Sequence, residues 1–166
     1  MSTAEVASLP SGALLEAYTG TGAYTDCYSV TFPRKASLAE FIAAFYTTPL
    51  FKVERWLLGQ FAGFPSTDAE AQMLAQGQVS RFAAWEVEAR EPNQAVLAAG
   101  RTRSWLMVLP RGEGTEARTT LFFGSAVVPH RRGGLGWQFS ALLGFHKLYS
   151  RILLASAVRR LAKIQS

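Results

Sequence analysis

Four polar side chains set among apolar neighbours carry whatever chemistry this sequence holds: Asp26, Arg103, His146 and Tyr149. His146 and Tyr149 stand three residues apart, so a helix would set an imidazole beside a phenol. Such a pair can give and take a proton in a closed pocket. The plainer reading has the histidine filling a helix face and bonding a neighbour. Strand alternation sends Arg101, Arg103, Trp105 and Met107 to one side, and Trp85 and Phe123 are expected to share that face. Asp26 lies on the bulky side of an earlier strand, together with Tyr24, Tyr28, Val30 and Phe32. If these faces all point inward, an apolar pocket contains two arginines and one carboxylate. A buried arginine needs a partner because an unpaired buried charge is costly. Asp26 is the natural partner of Arg103, and an acidic ligand is the functional alternative. The expected ligand contacts are therefore Asp26, Tyr28, Trp85, Arg103, Trp105, Met107, Phe123, His146 and Tyr149. The catalytic candidates are His146, Tyr149 and Asp26.

Other reactive residues point to less. Cys27 sits on a strand with no histidine near it in sequence, which fits a buried, inert thiol. Ser125, in Phe123-Gly124-Ser125-Ala126-Val127, lacks the second glycine of a nucleophile elbow, so hydrolase chemistry has no support. Gly133-Gly134-Leu135-Gly136 precedes a helix whose amides could meet an anion, but it fits neither a phosphate loop nor a dinucleotide fingerprint. His130 sits beside Arg131 and Arg132 in a corner expected to be exposed. No His, Cys, Asp or Glu cluster has metal-ligand spacing, so no metal and no cofactor is expected. A basic surface without a recognisable module does not make a nucleic-acid binder.

The elements that must position these groups are dominated by one stretch, residues 135–164, which reads as a single long helix. Leu142, Phe145, Leu148, Tyr149, Ile152 and Leu153 recur at three- and four-residue steps, with Ser140, Gly144, Lys147 and Arg151 opposite. A straight helix of this length would run about 45 Å at 1.5 Å per residue. A chain of this size has a diameter of about 40 Å. The basic residues also rotate around the axis after Lys147 and Arg151, so Ala155–Ser156 is the expected place where the helix bends, ends or leaves the sheet. Upstream, residues 1–10 read as loose, and Ser11 to Tyr18 as a short helix capped by Ser11. Ala23 to Phe32 alternates as a strand. Ser37 with Glu40 forms a capping-box pattern for a helix carrying Leu38, Phe41, Ile42 and Phe45. Thr48-Pro49 opens a second helix with Phe51, Trp56, Leu57, Leu58 and Phe61, and Ser66 or Thr67 a third that Gly77 ends. Period-two patterning then runs from Val79 to Val128, broken by turns at Glu91-Pro92-Asn93, at Gly100 and over Pro110 to Ala117. Short connections favour an antiparallel meander. The fold class expected is α+β: a curved antiparallel sheet gripping the C-terminal helix, with two to three helices inserted after the first strand. The domain is expected to span residues 11–166.

Composition agrees. A chain of 166 residues with 49% apolar and only 17% charged residues has a large interior and needs no disulfide to hold it. One cysteine fits a reducing, cytoplasmic setting. No apolar run is long enough for a membrane span, and Met1 to Pro10 has neither the basic start nor the apolar centre of a signal peptide. The net charge of +5 is concentrated after Glu116, where basic residues continue without an acidic one.

The order of elements resembles the helix-grip fold of the START and polyketide-cyclase-like superfamily. The segments Tyr24-Thr25-Asp26-Cys27-Tyr28, Thr48-Pro49-Leu50-Phe51, Gly100-Arg101-Thr102-Arg103-Ser104-Trp105, Phe123-Gly124-Ser125 and His146-Lys147-Leu148-Tyr149-Ser150-Arg151 resemble those of an uncharacterised bacterial family near it. The resemblance implies a cleft between sheet and helix. Together with the aromatic-rich strands, the low charge and the basic tail, it leaves three expectations. The first is a carrier of a small apolar or amphipathic, even acidic, ligand. The second is a cyclase- or hydratase-type enzyme using Arg103, Asp26, His146 or Tyr149. The third is an interaction module whose basic tail, Leu154 to Ile164, meets a second copy in a homodimer or an anionic membrane surface.

Overall fold

Alternation over the first long strand is realised as expected in the computed structural model, which describes residues 3–129 and 137–166, with side chains described outside residues 58, 61 and 137–145. Among these residues the strands are β1 (Glu5–Val6), β2 (Tyr24–Phe32), β3 (Arg81–Phe82), β4 (Trp85–Glu91), β5 (Gln94–Ala99), β6 (Thr102–Arg111) and β7 (Arg118–Val127). They form one antiparallel sheet in the order β1-β2-β7-β6-β5-β4-β3. A meander thus runs from β3 to β7, and β7 returns beside β2. The helices are α1 (Leu38–Tyr46), α2 (Pro49–Phe61), α3 (Asp68–Ala75) and α4 (Trp137–Ile164). The curved sheet closes over α4 on one face, with α1–α3 inserted between β2 and β3, consistent with a helix grip.

Local signals explain the helix starts. Ser37 Oγ accepts from the Glu40 amide while Glu40 accepts from the Ser37 amide, closing the capping box. Thr67, not Ser66, caps α3 in the same way with Glu70. Gly77 ends that turn at φ 74°, a left-handed conformation that glycine adopts without penalty. The N-terminus departs from expectation. Glu5–Val6 pairs with Ser29 and Tyr28, so this stretch is a sheet edge rather than a loose end. Residues after Ser11 form only a 3-10 turn, Leu14–Tyr18, with no side-chain cap.

Both faces of the sheet are covered, and this divides the interior. On the α4 side the cross-strand rungs are Val30–Leu121–Val108, Tyr28–Phe123–Leu106–Ala95 and Asp26–Ser125–Ser104–Leu97. The first two are apolar and pack with α1 into the main core. On the other side Cys27, Val96, Trp105, Met107 and Phe122 form a second core beneath Leu15 and Ala13. Gln94 is the polar hub of that second core. Its Oε1 accepts from the Trp105 indole at 2.9 Å and from the Leu14 amide at 2.8 Å. Its Nε2 donates to the Gly12 carbonyl at 2.9 Å. A buried indole N–H is thereby satisfied.

The helix α4 is unbroken through Ala155–Ser156, so the expected end at that point does not occur. Its last turns lie along α1 instead of the sheet: Arg160 Nε donates to Thr47 Oγ1 at 2.6 Å, and Gln165 Nε2 donates to Glu40 at 3.1 Å. Packing on α1 allows the helix to continue beyond the sheet. The buried stripe also sits differently from the sequence reading. Ser150, Leu153, Leu154, Ala157 and Leu161 are inside, whereas Leu148 is 56% and Ile152 44% exposed. Lys147 and Arg151 are exposed as read. Leu142 and Phe145 lie outside the described side chains.

Candidate functional site

A rung of small residues leaves room where a larger one would fill it. Ser125 and Ser104 face α4 on adjacent strands, and Ala99 pairs with Thr102 one rung on. Against them α4 presents His146, Tyr149, Ser150 and Leu153. Between lies a cavity of about 460 Å³, walled by Phe45, Phe51, Trp85, Phe123 and Val127 and bearing Glu54 from α2. Apolar walls with a few converging polar groups are the usual make-up of a small-molecule site.

Two polar clusters mark it. In the first, Asp26 and Ser125 are direct cross-strand partners. The Ser125 amide donates to Asp26 Oδ1 at 3.0 Å and its hydroxyl donates to the same oxygen at 2.6 Å. His146 Nε2 lies 2.8 Å from Ser125 Oγ and 3.4 Å from Asp26 Oδ2, and the Tyr24 hydroxyl donates to Oδ2 at 3.1 Å. Burial pushes the Asp26 carboxyl up, but the hydrogen bonds with His146 and Ser125, and the charge of His146, outweigh it and hold the carboxyl below its usual range. This is not a nucleophilic triad. One ring nitrogen faces both serine and aspartate, and the serine hydroxyl donates to the carboxylate, unlike a triad in which the histidine takes the serine proton. The group is suited to holding or passing a proton between imidazole and carboxylate.

In the second cluster, one turn further along α4, the Tyr149 hydroxyl donates to Glu54 Oε2. Burial raises the Glu54 carboxyl above its ordinary range, against the opposing hydrogen bond from Tyr149. Burial, the Glu54 charge and its hydrogen bond push the Tyr149 phenol up as well. Beside them Ser150 is 1% and Tyr46 0% exposed, and neither hydroxyl has a hydrogen-bond partner among the described residues.

The residues read from the sequence divide sharply. Trp85, Phe123, His146 and Tyr149 line the cavity, and Asp26 meets His146 and Ser125 at its wall. Tyr28 is buried in the main core and does not line it. Arg103, Trp105 and Met107 lie on the opposite face of the sheet, because the register pairs Leu106, not Trp105, with Phe123. Arg103 therefore does not pair with Asp26. It bonds Glu88 at 2.7 Å and the Tyr18 hydroxyl at 2.9 Å. Arg101 Nε donates to the Val128 carbonyl at 2.8 Å. Glu54, Ser125, Ser104 and Ser150 were not anticipated as site residues. The sequence raises Ser125 only as a nucleophile, and Glu54 leaves a trace as a carboxylate three residues after Phe51 on an apolar helix. Cys27 is buried in the second core, and burial and the Asp26 charge push its thiol up to about 12. His130 and Gly133–Gly136 lie outside the described residues. Among the described residues no group of three His, Cys, Asp or Glu could hold a metal ion. Among them, too, no helix is long and apolar enough to cross a membrane.

No family model matches the chain, and no curated protein does. A solved structure of an uncharacterized protein from Rhizobium leguminosarum is similar at 11% identity and a TM-score of 0.32, over 85% of this chain and 97% of that one.

Proposed function

We propose that this protein binds a small, largely apolar ligand between the sheet and α4. The cavity carries the reading: about 460 Å³ of space with aromatic walls and polar groups gathered at two points. That volume falls within the roughly 300–1,000 Å³ of small-molecule pockets. The resemblance to the START and polyketide-cyclase-like superfamily supports the same location. The free, buried Cys27 suits a reducing compartment such as the cytoplasm. The test is native mass spectrometry and thermal shift with a panel of apolar compounds, repeated on Ser104→Phe, which puts a ring into the cavity. Binding by the unaltered protein and its loss in a folded Ser104→Phe variant is the expected result. A panel without a single binder overturns the reading.

A second reading is proton-transfer catalysis of cyclase or hydratase type in the same cavity. It is favoured by the approach of Asp26 and His146 to 3.4 Å, with the Glu54–Tyr149 pair one helical turn, about 5 Å, away. Incubating a bound ketone in D2O tests it. Accelerated exchange of the α-protons, abolished by His146→Gln without loss of binding, is expected; no acceleration with any ketone that binds ends it. The third reading is weakened, since the apolar side of the tail, Ala157 and Leu161, packs on the chain's own core.

A further inference from the structure

The structure points to an uncharged oxygen, a hydroxyl or a ketone, as the polar end of the ligand, received by Ser150 in the corner bounded by Glu54 and Tyr149. This inference rests on the cavity being a ligand site. Ser150 lines the cavity from the buried side of α4, and its hydroxyl is satisfied by no described residue. The Tyr46 hydroxyl, behind the aromatic wall of Phe51 and Trp85, is equally without a partner among them. Buried hydroxyls are ordinarily hydrogen-bonded, so the unspent one of Ser150, facing the cavity, marks a place where another polar atom belongs. Tyr46 and Tyr149 both feel the Glu54 charge, which sets Tyr46 near Glu54 and Tyr149, while Ser150 lines the cavity with those two.

Charge decides which polar atom it is. Among the described residues no lysine or arginine lines the cavity, while Glu54 does and Asp26 stands behind Ser125. His146, the lining group that can carry positive charge, already faces Asp26 at 3.4 Å. A ligand carboxylate at Ser150 would therefore be buried beside Glu54 without a cation of its own among the described residues, a costly arrangement. Arg103, the cation an acidic ligand would need, is on the other face of the sheet with Glu88. An ammonium is disfavoured for a different reason: Glu54 already accepts from Tyr149, and burial works against the charge an ammonium would require of it. A hydroxyl or ketone oxygen can accept from Ser150 without bringing a charge inside.

Four probes on one ten-carbon chain separate these cases: 1-decanol, 2-decanone, decanoate and decylammonium, each below its aggregation concentration at pH 7, by calorimetry and thermal shift. The alcohol and ketone are expected to bind at least about tenfold more tightly than the two ions. Ser150→Ala should weaken the alcohol and the ketone while leaving residual binding of the hydrocarbon and the two ions no tighter than before, and Tyr46→Phe gives an independent check in case the first variant repacks. Equal binding of all four overturns this inference and leaves the cavity reading intact. Tighter binding of decanoate or decylammonium also overturns it. Binding of none overturns both.

Discussion

Gly124 is a residue whose identity follows from what sits on each side of its strand. A Cβ there would come within 2.7 Å of the Asp26 carbonyl oxygen, 2.8 Å of Leu15 Cδ2 and 3.0 Å of Trp105 Cε3. Gly124→Ala is expected to lose about 1–3 kcal/mol by overpacking the second core, measured by denaturant unfolding. The two carboxylates of the site should leave opposite marks on stability against pH. Asp26 titrates low in the fold, so its contribution is present above its ordinary value of 3.8 and is lost as pH falls through the depressed folded value. Glu54 titrates high, so its contribution is full below its ordinary value of 4.5 and is lost as pH rises toward the raised one. Melting temperatures across acid and neutral pH should therefore show a shallower acid decline in Asp26→Asn. In Glu54→Gln the decline above about pH 4.5 should disappear. Profiles parallel to the unaltered protein would mean these groups are not held as described.

At the scale of elements, α4 does two jobs along its length. Its middle closes the cavity, and its last turns bury Ala157 and Leu161 against the core that includes α1. Leu161→Ala should therefore cost about 2–5 kcal/mol as a core truncation. Leu148→Ala, on the exposed side, should stay within about 0.5 kcal/mol. Chemical denaturation of the two variants side by side checks which face of the helix is buried; equal losses would contradict the stripe described here. On α2, Arg55 binds the helices together, with Nε donating to Ser66 Oγ at 2.9 Å and Nη1 donating to Asp68 at 2.8 Å. That clamp holds the helix carrying Glu54.

For the whole molecule, the sheet separates two interiors that a single probe can distinguish. Trp85 lines the cavity, and Trp105 is fully buried in the second core. Binding of decanol should change the fluorescence of the unaltered protein, and the change should survive Trp105→Phe but shrink in Trp85→Phe. A signal that follows Trp105 would move the ligand to the other face. The sheet also explains why, among the described residues, neither arginine of the Gly100–Trp105 segment lines the cavity. Each arginine of the Gly100–Trp105 segment is consumed elsewhere, Arg103 by Glu88 and Arg101 by the Val128 carbonyl.

Much of this was legible in the chain itself. Ser37 with Glu40, the proline at Pro49, the left-handed Gly77 and the alternation of residues 24–32 are local signals, each settled within a few residues, and they determined the elements and the α+β class. His146 and Tyr149 were found because helical spacing alone sets them one turn apart. What needed the tertiary structure was every choice between faces. Alternation says that Arg103 and Trp105 lie together, but not which side of the sheet they take. With apolar cover on both sides, the bulk of Trp105 no longer identifies the helix side. The cross-strand register decided it, by setting Asp26 opposite Ser125 and Leu106 opposite Phe123. The cavity has the same origin, because empty space is made by side chains far apart in sequence that fail to meet.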